Sequence, residues 1–177
     1  DGEFESLRYE FRIVTRDGQV RHVEVFSSLT IYRGRPAVIG TLLDVTESRK
    51  MDEELRRLKI AIEQAAEGIV ITDRDGVIEY VNPAFEKMTG YSRAEAVGRT
   101  PGFVMSGQHD DAFYEHLLRT IKSGRVWTGR MVNRCKSGKI IHEDATISPL
   151  ATPSGKLMGY VVLGRDITET VRMEAQL

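Results

Sequence analysis

The four residues at positions 44–47 read Asp-Val-Thr-Glu, and 122 positions later the residues at 166–169 read Asp-Ile-Thr-Glu. Further upstream, the turn Arg16-Asp17-Gly18 corresponds to Lys136-Ser137-Gly138 within two residues of the same offset. In both places, strand-like runs surround the turn and end in the Asp-hydrophobic-Thr-Glu motif. A pattern that recurs at a fixed spacing indicates two copies of one structural unit.

The repeat predicts how the chain is divided. Residues 1–45 correspond to the final strands of a first unit, and residues 67–168 form a complete second unit. Residues 46–66 join the two units as a linker helix, and residues 169–177 begin a second copy of that helix.

The linker has no Gly or Pro between Asp44 and Glu67, which favours a continuous helix. Its apolar residues are spaced four and three apart, as in a heptad seam, and the first two recur as Met173 and Leu177. These seam residues are Met51, Leu55, Leu58, Ile62 and Ala65. A seam this narrow needs a partner surface. We expect it to pair with its copy in a parallel homodimer; the alternative is a helix that lies on its own domain.

The complete second unit is predicted to be an α+β fold. Hydrophobic patterning and turn residues place its strands at 68–72, 77–81, 126–136, 139–150 and 157–166. Between the second and third strands, helices are predicted to begin at Asn82-Pro83, Ser92 and Asp110 or Asp111, since these residues favour helix N-termini. The order β-β-α-α-α-β-β-β predicts a five-stranded antiparallel sheet with helices on one face.

The bulk composition is that of an ordinary globular protein. The 177 residues are 41% hydrophobic and 29% charged, and the net charge of −1 does not suggest a nucleic-acid partner. No apolar run is long enough to predict membrane insertion in this segment. The single cysteine, Cys135, excludes an internal disulfide and is compatible with a cytoplasmic location.

Several short motifs of the second unit together resemble the PAS domain of bacterial sensory proteins. They are Glu67-Gly68-Ile69-Val70-Ile71-Thr72-Asp73, Val81-Asn82-Pro83-Ala84-Phe85, Thr89-Gly90-Tyr91-Ser92, Gly98-Arg99 and Asp166-Ile167-Thr168. The resemblance covers residues 60–170, and residues 8–47 resemble the last three strands of another PAS domain. It therefore implies a tandem arrangement: a partial PAS three-strand meander, a connecting signalling helix and a complete PAS domain.

The resemblance implies a sensory module upstream of an output domain in the same polypeptide. A histidine kinase of a two-component system is the expected output, and a diguanylate cyclase is the alternative. A ligand-free spacer that only holds a dimer together is also compatible with the sequence. No catalytic motif appears within the chain itself, so this segment is not expected to be an enzyme.

Strand parity predicts which residues face a ligand pocket. Trp127, Met131 and Asn133 share one side of their strand, and Glu143 shares a side with apolar residues of the next strand. Inward-facing Asn133 and Glu143 either pair with each other, the backbone or water, or meet a polar ligand, because an unpaired buried polar group is costly. On the first short helix, Phe85 and Met88 complete the predicted set of cofactor-binding residues.

The run at 127–138 resembles a strand of flavin-binding PAS domains. That resemblance implies that Trp127 lies near an isoalloxazine ring and that Asn133 bonds a ring edge. FAD and FMN are therefore candidate cofactors, and the alternatives are an unidentified ligand or no ligand. The reactive cysteine motif of the light-oxygen-voltage photoreceptors is not matched, because Thr100-Pro101 follows Gly98-Arg99, and their glutamine falls on Gly164. Cysteinyl photochemistry is therefore not expected.

Haem and metal sites are not expected either. A haem requires an axial ligand such as His, and His116 is offset from the apolar stripe of its predicted helix, which is formed by Phe113, Leu117 and Ile121. The four histidines and Cys135 have no metal-site spacing.

The first unit is predicted to have an apolar sheet face, because Tyr9, Phe11 and Ile13 alternate with charged residues. We expect a second chain or the chain's own linker helix to cover this face, because large apolar patches are rarely left in water.

Overall fold

The computed structural model describes residues 6–176, so Leu177, the predicted counterpart of Leu55, lies outside the described residues. The chain divides into two units, one ending at Lys59 and the other beginning at Ile60. Within the described residues, no helix has both the length and the apolar character needed to span a bilayer.

The first unit is an antiparallel meander followed by a long helix. Its strands are β1 (Ser6–Val14), β2 (Val20–Tyr32) and β3 (Arg35–Asp44), and β2 lies in the middle of the sheet. Helix α1 (Thr46–Gln64) begins two residues after β3 ends. The repeat motif at 44–47 therefore marks the passage from strand to helix, as predicted.

One face of the meander is apolar and largely exposed. Tyr9 lies opposite Val25 and Phe11 opposite Val23, and the two valines are buried. The outer strands are more open: Tyr9 is 51% exposed and Leu42, opposite Val25, is 65% exposed. The apolar alternation predicted for the first strand is confirmed by this register.

Helix α1 does not cover the apolar face, so that expectation was wrong. Its seam residues Met51, Leu55 and Leu58 are 62–63% exposed. The physical reason lies in the first turn of the helix, where Arg49 pairs with Glu10, which alternates with the apolar residues of β1 and belongs to the opposite face. The other expectation, coverage by a second chain, stays a prediction.

The second unit contains the five-stranded antiparallel sheet that the sequence predicted. Its strands are β4 (Gly68–Asp73), β5 (Ile78–Val81), β6 (Trp127–Arg134), β7 (Ile140–Ala151) and β8 (Leu157–Asp166). They lie in the order β5-β4-β8-β7-β6. The α+β prediction is confirmed, and the predicted strand ends agree within about two residues.

The helices of this unit are α2 (Pro83–Thr89), α3 (Arg93–Ala96), α4 (Asp111–Lys122) and α5 (Thr168–Glu174). Asn82 and Asp110 cap α2 and α4 by accepting bonds from Phe85 and Phe113 N–H, and Ser92 forms a capping box with α3. The sequence reading missed a 3₁₀ turn at Pro101–Val104.

Both units end in the same joint between strand and helix. Thr46 Oγ1 accepts a bond from His22 N–H at 2.8 Å, and Thr168 Oγ1 accepts one from His142 N–H at 2.9 Å. Asp44 Oδ1 accepts a bond from the Thr46 N–H at 3.0 Å, and Asp166 Oδ1 accepts one from the Thr168 N–H at 2.9 Å. The repeat seen in the sequence is therefore also a repeat of hydrogen bonds.

The outer edge of β6 is covered by a loop just before α4. Met105 forms an isolated bridge with Asn133, and His109 Nε2 accepts the Val132 N–H at 2.9 Å. Arg134 donates to the Ser106 carbonyl at 2.7 Å. The loop therefore occupies backbone groups that an edge strand would otherwise leave open.

Candidate functional site

The second unit encloses a cavity of about 410 Å³ between its sheet and its helices. This volume lies within the range of small-molecule sites, roughly 300–1,000 Å³. Strands β4, β6, β7 and β8 form one wall, and α2, the 3₁₀ turn and α4 form the other. The wall is mostly apolar, and includes Val70, Phe85, Leu117, Ile147 and Val162.

Asn133 and Glu143 form the buried polar end of this wall. They lie on neighbouring strands, and Asn133 Nδ2 donates to Glu143 Oε2 at 2.7 Å. Both residues are nearly inaccessible, at 5% and 6% exposure. The sequence left several partners open for these two residues. In the structure they pair with each other, and both also line the cavity.

Two buried oxygen atoms of the cavity wall have no hydrogen-bond partner within the described residues. They are Asn133 Oδ1 and Tyr114 Oη. Such atoms are uncommon in folded proteins, because desolvation without a new bond costs roughly 1–3 kcal/mol. With the Glu143 carboxyl, they are the buried polar groups of the cavity wall that we consider as partners for a ligand.

Gly164 makes room for the Glu143 carboxyl. A Cβ atom at this position would overlap Glu143 Oε1, the oxygen that Asn133 does not bind. Gly164 lies opposite Ala145 in the β7–β8 register, two pairs away from the pair formed by Glu143 and Asp166 and on the same face of the sheet. The carboxyl is thus held against backbone on one side and by Asn133 on the other.

Burial raises the pKa of Glu143 above its ordinary value of 4.5, the Asn133 bond opposes that rise, and the charge of Asp166 adds to it. Removing water disfavours the charged form of a carboxyl, so burial shifts the equilibrium of Glu143 toward the neutral acid. Burial raises the pKa of the Tyr114 hydroxyl as well.

We expect this raised pKa to make stability depend on pH. Because folded Glu143 holds its proton more tightly than the unfolded chain does, its contribution to stability is complete below about pH 4.5. That contribution is lost as pH rises through the raised pKa, at about 1.4 kcal/mol for each unit by which the pKa is displaced. The free energies of unfolding of the wild type and Glu143→Gln, measured in urea and plotted against pH, should converge at low pH and diverge as the pH rises. Parallel curves would contradict the assignment.

The structure brings four of the six predicted site residues to the cavity: Phe85, Met131, Asn133 and Glu143. The other two lie elsewhere. Trp127 packs edge-on against Phe113, with ring centres 5.6 Å apart, in the core between α4 and the sheet. The thioether methyl of Met88 points at Gly68.

Sequence reasoning missed Tyr114, although a signal for it was present. Tyr114, Leu117 and Ile121 are spaced three and four apart on α4, and all three line the cavity. The stripe read from the sequence began one residue earlier, at Phe113, which lies in the adjacent core.

The described residues include no group of His, Cys, Asp and Glu side chains placed to hold a metal ion. Among these residues the lining of the cavity includes no histidine, and His116 is exposed. Cys135 Sγ lies 3.3 Å from the Met88 carbonyl, and burial raises the pKa of its thiol, which disfavours the reactive thiolate.

Asn82 connects the cavity wall to the last turn of α1. Its Nδ2 donates to the carbonyls of Ile62 and Glu67, at 3.1 and 3.0 Å. Its Oδ1 accepts from Ile69 N–H at 2.8 Å and from Phe85 N–H at 3.1 Å. Asn82 is fully buried, and Phe85 is a residue of the cavity wall.

A second set of contacts lies beside this connection. Glu63 of α1 accepts hydrogen bonds from Tyr80 and Arg93, both at 2.8 Å. The Arg93 guanidinium also lies over the Tyr80 ring and donates to the Val81 carbonyl at 2.9 Å. The end of α1 is therefore tied to β5 and α3 as well as to α2.

Taken together, this architecture defines a small α+β module in which short helices close a cavity against an antiparallel sheet. The model of the PAS fold matches residues 56–167. The chain belongs to the PAS family.

The relatives of the chain are signalling and regulatory proteins. It is 33% identical over 116 residues to the nitrogen fixation regulatory protein of Klebsiella pneumoniae, covering 66% of this chain and 23% of that protein. It is 29% identical over 179 residues to the probable diguanylate cyclase DgcE of Escherichia coli, covering 97% of this chain and 16% of that one. It is 28% identical over 149 residues to the histidine kinase AtoS of Escherichia coli, covering 80% of this chain and 24% of the kinase.

A solved structure shows the same fold. The PAS domain of a protein from Colwellia psychrerythraea matches with a TM-score of 0.57 and 26% identity, over 66% of this chain and 98% of that one. The chain covers less than a quarter of the length of each of the three relatives named in the previous paragraph. Two of those relatives, the diguanylate cyclase and the histidine kinase, are enzymes by name.

Proposed function

We propose that this chain is the sensory part of a larger cytoplasmic signalling protein. A small ligand or a redox-active group occupies the cavity of the second unit, and its presence alters the sheet and α2. The change passes to linker helices paired in a homodimer, and from there to an output domain in the same polypeptide. The chain itself carries no catalytic step in this scheme.

The Asn82 hydrogen bonds are the observation that carries this proposal. They connect Phe85, which lines the cavity, to the Ile62 carbonyl in the last turn of α1. At the other end, Glu143 lies directly opposite Asp166, which bonds the first residue of α5. A change in the cavity therefore has a short route to both helices, and a two-state helix pair can use it.

A histidine kinase is the output we favour, and a diguanylate cyclase is the second candidate. Relatives of both kinds match, and the match to the diguanylate cyclase covers more of this chain. A ligand-free spacer would explain the exposed helix seam but not the unpartnered oxygen atoms of the cavity.

The relay is tested with a chimera in which this chain replaces the matching segment of AtoS. Asn82→Ser keeps a cap for α2 but is too short to reach the Ile62 carbonyl. We expect this variant to change autophosphorylation several-fold, whereas Lys59→Gln, away from these contacts, leaves it unchanged. Equal activity of both variants and the wild-type chimera, with all three folded, would contradict the relay.

The identity of the bound group is tested by an absorption spectrum of the purified chain. A flavin gives bands in the near ultraviolet and the blue, and a haem gives a Soret band. If flavin is the ligand, heat or acid should release a yellow fluorescent compound. A spectrum without visible bands would exclude a bound oxidised flavin and leave a colourless ligand or none.

We expect substitution of the α1 seam to weaken the homodimer. Leu58→Gln removes one exposed apolar side chain per copy, and we expect the dimer dissociation constant to rise about tenfold, or about 1.4 kcal/mol. Lys59→Gln introduces the same residue one position away, off the seam, and serves as the matched control. Sedimentation velocity over a range of concentrations measures both. Equal dissociation constants would place the dimer contact elsewhere.

A further inference from the structure

The two sheets carry a charged residue at the same position, but its sign is reversed between the units. The register of β1 with β2 is repeated by β6 with β7 at 120 residues further along, so Glu10 corresponds to Arg130. Because side chains alternate along a strand, Glu10 lies on the face opposite to Phe11, and Arg130 on the face opposite to Met131, which lines the cavity. We call this opposite face the outer face of each sheet.

In the first unit, two glutamates face each other on the outer face. Glu10 lies opposite Glu24 in the β1–β2 register, and like charges at such positions repel each other. Glu24 is only 7% exposed and pairs with Arg8 of the neighbouring strand. The partner of Glu10 comes from the helix, because the Arg49 guanidinium in the first turn of α1 donates to its carboxylate.

In the second unit, the equivalent position needs a partner of the opposite sign. Arg130 lies opposite Asp144, with its Nε 3.6 Å from Asp144 Oδ1, and Arg165 Nη2 lies 3.5 Å from Asp144 Oδ2. Two guanidinium groups therefore share one aspartate of the sheet. A second carboxylate comes from the helix: Glu174 Oε2 of α5 lies 3.4 Å from Arg130 Nη1.

We propose that the outer face of each sheet is a docking surface that selects its helix by charge. The first unit accepts a helix that presents a cation, and the second unit accepts one that presents a carboxylate. If the helices were exchanged, Arg49 would meet Arg130, and Glu174 would meet Glu10. Each wrong pairing replaces an attraction with a repulsion, which is how charged surfaces discriminate between similar partners.

Such selection is needed because the two joints are otherwise alike. Thr46 and Thr168 make the same hydrogen bond to the strand beside them, so the backbone alone does not distinguish the helices. A chain with two such joints, and a dimer with four, offers several wrong combinations of helix and sheet. The inference concerns the outer faces and does not depend on whether the cavity holds a ligand.

The exposure of the ion pairs fits a role in selection rather than in stability. The side chains of Glu10, Arg49, Arg130 and Glu174 are between 41% and 58% exposed. Ion pairs in water contribute little net stability, because solvent and salt screen them. The threonine bonds hold each joint together, and the sign of the charge decides which helix fits.

One backbone amide at each joint serves as the probe. The His22 N–H donates to Thr46 Oγ1, and the His142 N–H donates to Thr168 Oγ1. Their hydrogen exchange, followed by NMR on the full chain, measures how often each helix start leaves its sheet. Each variant of one joint is thereby compared with the unaltered joint in the same molecule.

Glu10→Arg is the decisive variant. It opposes Arg49 with a like charge but faces Glu24 with an opposite one, so the β1–β2 pair itself should not weaken. We expect exchange of the His22 N–H to accelerate roughly three- to tenfold, because an attraction of this size becomes a repulsion. Glu10→Arg/Arg49→Glu restores the pair with its signs reversed and should return the rate to within about twofold of wild type. Unchanged exchange in the single variant, or no recovery in the double variant, would overturn the proposal.

Arg49→Glu tests the same contact without altering the sheet. It should accelerate His22 exchange as Glu10→Arg does, whereas Lys50→Glu, the same reversal one residue further along α1, is the matched control and should leave the rate within about twofold. At the other joint, Glu174→Arg should accelerate exchange of the His142 N–H alone. Equal rates for Arg49→Glu and Lys50→Glu, or acceleration at both joints by one variant, would overturn the selection by charge.

Salt separates charge from shape. At 1 M NaCl the Debye length falls to about 3 Å, so the difference in His22 exchange between the wild type and Glu10→Arg should largely disappear. A difference that is as large in high salt as in low salt would mean that the larger arginine side chain obstructs the helix. That result would also overturn the proposal.

Discussion

Asn82→Ala should lower the free energy of unfolding by about 3–5 kcal/mol, the largest effect we expect from any single side chain. The residue is fully buried, and its side chain makes four hydrogen bonds. Alanine would leave the Ile69 N–H and two carbonyl groups without their partner and would remove the cap of α2. Urea unfolding followed by Trp127 fluorescence measures the change.

Two variants separate the parts of that effect. Asp110→Ala removes an exposed cap that makes one bond, to Phe113 N–H at 2.9 Å, and should cost only about 1 kcal/mol. Asn82→Ser should recover the cap of α2 but not the bonds to α1. Its loss of unfolding free energy should therefore lie between the losses for Asn82→Ala and Asp110→Ala. If Asn82→Ala cost no more than Asp110→Ala, the bonds to Ile62 and Glu67 would carry no stability, and the proposed route into α1 would lose its support.

The second large effect concerns the acid–amide pair. Asn133→Ile should cost about 1–3 kcal/mol at neutral pH, because it leaves the buried Glu143 carboxyl without its donor. Asn133→Ile/Glu143→Val should recover most of that loss, since removing both partners removes the unpaired group as well. The first unit carries this same apolar pair, Ile13 and Val23, at the corresponding positions.

A double-mutant cycle measures this coupling. The two single variants and the double variant are unfolded in urea at one pH, and the interaction energy is the departure from additivity. We expect the double variant to be more stable than Asn133→Ile. Additive losses would mean that the two side chains do not depend on each other, and that neither is held in place by the 2.7 Å bond.

The sequence was sufficient for features that depend on local chemistry. Helix N-termini at Asn82, Ser92 and Asp110 follow from cap residues, and their bonds form within one turn of the chain. Strand ends follow from alternation and turn glycines. The repeat at 44–47 and 166–169 also fixed where both linker helices begin, because each start is a bond between residues two apart.

Features that depend on distant contacts were not predictable in the same way. Strand parity correctly turned Trp127 inward, but only the packing of Phe113 on its ring places it in the core rather than on the cavity wall. The loop over the edge of β6 depends on His109 reaching Val132, residues that are far apart in sequence. The direction in which α1 leaves the sheet brings Arg49 next to Glu10, a contact that no periodicity in the helix reveals.

The equivalent joints at Thr46 and Thr168 indicate how such proteins gain additional domains. Each joint is built from its own strand pair and helix start, so a sheet unit with its helix can be duplicated or exchanged without redesigning the connection. Gene fusion can then join such units one after another, because each unit contains its own connection between strand and helix. The side chains at equivalent positions of the two sheets would be free to differ, as Asn133 and Glu143 differ from Ile13 and Val23.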